Sequence, residues 1–210
     1  MTFFLHETRY RDLSAITAQL VTICGAGALG ANLAETLARM GFRQLRVIDR
    51  DRVEAHNLST QPWTQQDVGA PKVRVLANML YRAVGTRVES HHSEFTAANA
   101  RTLLQGSALV VDAFDNIAAR QAITTGVAAL ELPCLHVALG GMGDYGCALW
   151  NEAYVLPDRV AGVDGCDYPL TRPLALLVAA ATAEEIVTML LTGAQRGFEV
   201  TLRDLRLMAR

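Results

Sequence analysis

The sequence predicts an α/β fold: a Rossmann-like, doubly wound, mostly parallel sheet with antiparallel closing strands and a crossover loop. Three observations carry this expectation. Short apolar runs alternate with segments of helical period along most of the 210 residues. The first run joins its helix through Gly25-Ala26-Gly27-Ala28-Leu29-Gly30, a G-x-G-x-x-G turn. The composition is 51% hydrophobic and 19% charged, which suits a sheet covered on both faces.

Met1 to Ile16 reads as a short polar lead-in holding Arg9-Tyr10-Arg11. Leu20-Val21-Thr22-Ile23-Cys24 is a brief apolar run stopped by Gly25, the pattern of a buried parallel strand. Ala31 to Met40 follows as a helix, with Leu33, Ala34, Leu37 and Ala38 on one face. Gln44 to Ile48 is the next strand, and Asp49 to Gly69 a loop containing Pro62 and Trp63. Pro71 to Val84 is a helix with proline in its first turn. Arg87 to His92 alternates as a strand, and Thr96 to Leu104 reads as a helix. Ala108 to Asp112 is a buried strand ending in acidic residues, before the helix Ile117 to Leu130. Pro133 leads into the strand Cys134 to Ala138.

Gly140-Gly141-Met142-Gly143 forms a turn, and Tyr145 to Trp150 a strand with mixed faces. Residues 156 to 168 show no periodicity and are assigned to the crossover loop. Pro173 to Leu191 is a long apolar helix closed by Gly193. Glu184 and Glu185 inside it argue for a packed helix rather than a membrane span. Phe198 to Asp204 alternates as a closing strand. No repeat or linker is evident, so residues 1–210 are expected to form one domain.

The chemistry concentrates between Leu20 and Lys72. Glycines at 25, 27 and 30 let the backbone turn sharply and approach a phosphate, and the helix that follows offers unpaired N–H groups. Asp49 lies about twenty residues further on, where a carboxylate can accept hydrogen bonds from ribose hydroxyls. On these residues alone an NAD- or FAD-dependent enzyme is the plain reading. Lys72 is the one lysine in a chain with 19 lysines and arginines. An ammonium is a compact charge that follows a moving phosphate, whereas guanidinium is a planar fork; chance placement at a helix start is the alternative.

The remaining motifs change that balance. Asp49-Arg50-Asp51-Arg52-Val53 is followed by Asn57-Leu58 and Gln61, then by Gly69-Ala70-Pro71-Lys72, and later by Asp112-Ala113-Phe114-Asp115-Asn116. This ordered set resembles the ThiF/MoeB family, bacterial relatives of ubiquitin-activating enzymes, with its glycine turn, D-x-D-x-V, N-L-x-R-Q, G-x-P-K and D-x-x-D-N elements. The resemblance implies an ATP-dependent adenylyltransferase that activates the C-terminal carboxylate of a ubiquitin-like or sulfur-carrier protein ending in Gly-Gly. It implies ATP and Mg2+ as cofactors, with Gly25, Gly27, Gly30, Asp49, Asp51, Asn57, Gln61 and Lys72 on the nucleotide and Asp115 on magnesium. Read structurally, Asp115 would instead cap the helix after it.

The same resemblance implies a homodimer in which an N-terminal arginine, here Arg9 or Arg11, enters the partner's site. It also implies a cysteine acceptor in the crossover loop, here Cys166. One departure stands out: where the family carries arginine between leucine and glutamine, this chain has Thr60. Arg50, Arg52 or a subunit-crossing Arg9 or Arg11 are the available substitutes. A catalytically weak scaffold subunit, and adenylation of a peptide or tRNA nucleoside carboxylate, remain as alternative readings.

A net charge of -2 gives no expectation of nucleic-acid binding, and the first ten residues lack the apolar core of a secretory signal, so a cytoplasmic protein is expected. The four cysteines are too widely spaced for the usual zinc site. Cys24, Cys134 and Cys147 sit in or beside strands and read as structural. His136, at the end of a buried strand, reads as a satisfied core histidine.

Overall fold

The computed structural model describes residues 3–151, 153–156 and 169–209. Cys166, with the rest of 157–168, lies outside the described residues. Two short helices, α1 (Leu5–Tyr10) and α2 (Ser14–Thr17), occupy the segment read as a polar lead-in. They are too short to show a helical period, but Leu13 and Ile16 are buried in the core. Then come β1 (Leu20–Cys24), α3 (Ala28–Met40), β2 (Gln44–Ile48), α4 (Lys72–Val84), β3 (Arg87–His91) and α5 (Ala97–Leu104). β4 (Leu109–Asp112), α6 (Ile117–Ala129), β5 (Cys134–Leu139), β6 (Tyr145–Trp150), α7 (Arg172–Thr192), β7 (Phe198–Thr201) and β8 (Leu207–Ala209) complete the described chain.

The strands form one sheet in the order β3-β2-β1-β4-β5-β6-β7-β8. β1 to β5 run parallel; β6, β7 and β8 add on antiparallel. The closing strand ends at Thr201, earlier than its alternation suggests, and β8 was not anticipated. All three residues of β8 are exposed, so it leaves no buried face in the sequence pattern.

β1 sits between β2 and β4, with Cys24 opposite Ile48 on one side and Asp112 on the other. The chain winds from β1 outward through β2 and β3, then crosses back to β4. The order reverses there, and the ends of β1 and β4 open a crevice between them. Burial follows the two-sided covering. Val21 and Ile23 join α3, α4 and α7 in one core, while Cys24 joins α5 and α6 in the other. Leu37 of α3 is fully buried; truncating such a leucine to alanine costs about 2–5 kcal/mol.

α7 packs on α3 and the sheet through Leu174, Val178, Thr182 and Ile186. Its opposite face leaves Leu176, Leu177 and Leu191 partly exposed. Thr171 caps its start by accepting from the Leu174 N–H at 3.4 Å, and Gly193 in the left-handed region ends it.

Candidate active site

The carboxyl ends of β1, β2 and β4 converge on a cleft of about 600 Å3. Its walls carry Gly25, Asp49, Lys72 and Asp115 together, although these residues span ninety positions of sequence. Phe95, Phe114 and Ala122 add apolar surface of the kind a nucleotide base stacks against.

The three glycines do different things. Gly25 has φ +103°, and a Cβ there would lie 2.9 Å from the Ala113 carbonyl oxygen. At Gly30 a Cβ would fall 1.9 Å from the Gly25 carbonyl oxygen, so α3 can begin this close to β1 only without a side chain. Gly27, which caps α3, lines the cleft, and a Cβ there would meet nothing within 4 Å. Gly27 therefore keeps space open in front of the helix N-terminus, where an anion is favoured. α3 starts at Ala28, three residues before Ala31, where the sequence pattern begins it.

Asp49 holds this turn in place. Its Oδ2 accepts from the Ala26 N–H at 2.6 Å and its Oδ1 from the Asp51 N–H at 2.7 Å. Burial pushes its carboxyl above the ordinary range, against the pull of these two N–H groups. The residue expected to meet a ribose is thus also a strut between the first two strand ends.

Lys72 is placed by backbone pairing. The Lys72 N–H donates to the Asp51 carbonyl at 3.0 Å, and the Val53 N–H to the Ala70 carbonyl at 2.9 Å. Gly69, at φ +88°, supplies the left-handed turn that brings 69–72 beside 51–53. The D-x-D-x-V and G-x-P-K elements are therefore the two sides of one bridge. Its result is a buried ammonium 3.2 Å from Asp51 Oδ2 at the cleft wall.

Asn57 and Gln61 both line the cleft and are buried. Each also does structural work: Asn57 Oδ1 accepts from the Glu54 N–H at 3.0 Å, and Gln61 Oε1 from the Trp63 indole at 2.7 Å. Thr60 lines the cleft between them, its carbonyl held by Asn32 Nδ2 at 2.8 Å. Of the arginines considered as substitutes for its missing charge, Arg50 reaches the cleft but binds Glu94 at 2.7 Å. Arg52 donates to the Gly69 carbonyl at 2.6 Å.

Asp115 is not the helix cap. Asn116 is, its Oδ1 accepting from the Ala119 N–H at 2.9 Å. Among the described residues Asp115 has no hydrogen-bond or ion-pair partner, and it is exposed on the cleft wall. What aims it is a buried network that the motif reading did not include. Asp112 Oδ1 accepts from the Phe114 N–H at 3.2 Å, and Arg120 Nε donates to the Phe114 carbonyl at 2.7 Å. Arg120 also donates to the Val137 carbonyl at 2.7 Å. His136 Nδ1 lies 2.9 Å from Asp112 Oδ2, with Tyr154 stacked on its ring, so it is the satisfied core histidine expected. Arg120 is the lone cation in an otherwise uncharged helix, which is the signal that could have exposed it.

One expected site residue is not brought to the cleft, and another cannot be placed. Arg11 is bound by its own chain, to Glu184 at 2.8 Å and Glu7 at 3.2 Å. Cys166 lies outside the described residues. Burial pushes the thiols of Cys24 and Cys134 well up, as befits structural cysteines. Among the described residues no group of three or more His, Cys, Asp or Glu could cage a metal. A lone carboxylate such as Asp115 fits an ion that takes one protein ligand and completes its shell with phosphate and water.

Comparison with known proteins gives the family and the fold. The chain is 35% identical to a sulfur carrier protein adenylyltransferase of Thermus thermophilus over 122 residues, 57% of this chain and 45% of that protein. It is 36% identical to the adenylyltransferase and sulfurtransferase MOCS3 of Anopheles gambiae over 115 residues, 54% of this chain and 26% of that protein. The matched part thus spans less than half the length of these curated relatives. E. coli MccB crystallised with ATP shares the fold, with a TM-score of 0.77 at 16% identity over 98% of this chain and 69% of that one. The sequence profile of the ThiF family matches residues 3–208, a span that takes in the glycine turn, the bridge that sets Lys72 and the β4 end that carries Asp115, and the chain belongs to that family.

Proposed function

We propose that this chain uses ATP to adenylate a carboxylate, and that its substrate is the C-terminus of a small ubiquitin-like or sulfur-carrier protein ending in Gly-Gly. The observation that carries the reading is the convergence of Gly27, Lys72 and Asp115 on one cleft at the switch point of the sheet. The names of the curated relatives support the substrate class.

The chemistry follows from charge. Among the described residues the cleft carries four carboxylates, Asp49, Asp51, Glu94 and Asp115, against two cations, Arg50 and Lys72. A triphosphate would meet a net negative wall unless a divalent cation came with it. Magnesium held by Asp115 would supply that charge and polarise the phosphate oxygens. Gly27 leaves room for phosphate at the α3 N-terminus. Lys72 sits where its ammonium can leave Asp51 for a phosphate oxygen, and Asp49 offers its remaining lone pairs to the ribose. The substrate carboxylate then attacks the α-phosphorus, and pyrophosphate departs. Cys166 is proposed to take the activated acyl group in a second step.

A homodimer is proposed on the exposed leucines of α7, and a cytoplasmic location on the sequence alone. A weak scaffold role is the second reading, favoured by the uncharged Thr60 in the cleft; Asp115, without a partner among the described residues, and the buried Lys72 count against it. Calorimetry and carrier-dependent ATP–pyrophosphate exchange test the proposal. ATP with magnesium should bind more tightly than NAD, and exchange should appear with a Gly-Gly carrier. Tighter binding of NAD would return the cleft to dehydrogenase chemistry.

A further inference from the structure

The two cations that line the cleft among the described residues are already committed to acids: Lys72 to Asp51 at 3.2 Å and Arg50 to Glu94 at 2.7 Å. A third cation stands at its rim with no acidic partner among the described residues. Arg172 is the first residue of α7, and its guanidinium donates to the Gln61 carbonyl at 3.4 Å. Gln61 lines the cleft, as does Leu170 two residues before Arg172. The position is electrostatically unfavourable for the free chain, because a cation at a helix N-terminus faces the positive end of the dipole. The helix is 21 residues long and apolar throughout its first turns, so Arg172 contributes nothing to its packed stripe, and the side chain is exposed. The long hydrogen bond to Gln61 is weak enough to exchange for an anion.

We propose that Arg172 is a substrate-binding residue of this cleft, taking the terminal phosphates of a nucleoside triphosphate. The inference rests on the adenylation reading and deepens it. Thr60, beside Gln61, offers that region no charge, and a planar guanidinium suits bidentate capture of a phosphate. In the reaction a carboxylate oxygen bonds to the α-phosphorus while the bond from the α-phosphorus to the bridging oxygen breaks. The electron pair leaves on pyrophosphate, and Arg172 neutralises the charge that gathers there.

The test is calorimetry of ATP and AMP binding, each with magnesium, to wild-type protein, Arg172→Ala and Arg172→Glu. Loss of a charge-assisted contact predicts about a 10- to 100-fold weaker ATP affinity in Arg172→Ala, a further loss in Arg172→Glu, and AMP affinity within about twofold of wild type for both. The melting temperature should not fall. Equal weakening of ATP and AMP would mark a structural role and overturn the proposal. So would unchanged ATP affinity in Arg172→Glu, and in that case a wild-type preference for ATP would leave the adenylation reading standing. Wild-type protein that binds neither nucleotide would overturn that reading and this assignment together.

Discussion

Lys72 Nζ lies 3.2 Å from Asp51 Oδ2, and the two ends of this pair differ: the lysine side chain is 8% exposed and the aspartate 55%. The ammonium is thus held ready from the wall of the cleft by an acid that water already solvates. Because Asp51 is solvated, removing the lysine strands no buried charge, so the value of the pair lies with whatever displaces Asp51. Lys72→Ala should lower pyrophosphate exchange by about 10²–10³-fold, the range for removal of one charge-stabilising donor, with little change in a denaturation midpoint. Lys72→Arg should not restore it, because a planar fork on a buried stem cannot follow the moving phosphate. Exchange near the wild-type rate in Lys72→Ala would remove the lysine from the mechanism.

Gly27 and Gly30 should fail in different ways. Gly30→Ala places a methyl within 1.9 Å of the Gly25 carbonyl oxygen, so the protein should lose stability or solubility outright. Gly27→Ala meets no protein atom within 4 Å and should melt like the wild type, yet bind ATP more weakly because the methyl occupies phosphate space. Thermal melting alongside nucleotide titration separates the two. Equal ATP affinity in a well-folded Gly27→Ala would place the phosphates elsewhere.

Asp115 and Asn116 make a second such contrast. Asn116→Ala removes the cap of α6 and should cost about 0.5–2 kcal/mol of stability. Asp115→Asn leaves the cap intact and should keep the fold, while abolishing the magnesium dependence of ATP binding. If magnesium still strengthened ATP binding to Asp115→Asn as it does for wild type, the metal would sit on other ligands.

Cys166 divides the two chemical steps. Cys166→Ala should keep pyrophosphate exchange with the right carrier but lose any reducible covalent adduct. An adduct formed at the wild-type rate in that variant would make another cysteine the acceptor, or make the chain an adenylation-only enzyme. Cys24 and Cys134 are poor candidates, since burial holds their thiols protonated.

How far these features could be read from sequence depends on burial. β1 and β4 are short, almost wholly buried runs between turns, and β2 buries Leu45, Val47 and Ile48, so all three announce themselves. β8 is exposed at every position, and α1 buries none of its residues, so neither leaves a pattern to detect. The cleft was legible because its motifs place glycine, aspartate and lysine at or just beyond strand ends. The dual duty of Asp49 and the division of labour among the glycines were not, because both depend on distances across the sheet. Arg120 was missed for a physical reason too. An arginine reads as surface, and only the carbonyls of Phe114 and Val137, brought together by the β4 and β5 pairing, make its burial affordable.

α7 covers α3, although the two helices are separated by more than 130 residues of chain. During synthesis the glycine turn and its helix therefore emerge long before the element that shields them. Until residues 172–192 leave the ribosome, Leu33, Leu37 and their neighbours lack part of their cover, and Arg11 has no Glu184 to close on. A nascent chain halted before α7 should be held by chaperones and cut readily by protease, whereas one halted beyond residue 209 should resist. Nucleotide binding would then wait for α7 rather than for the motif that appears first.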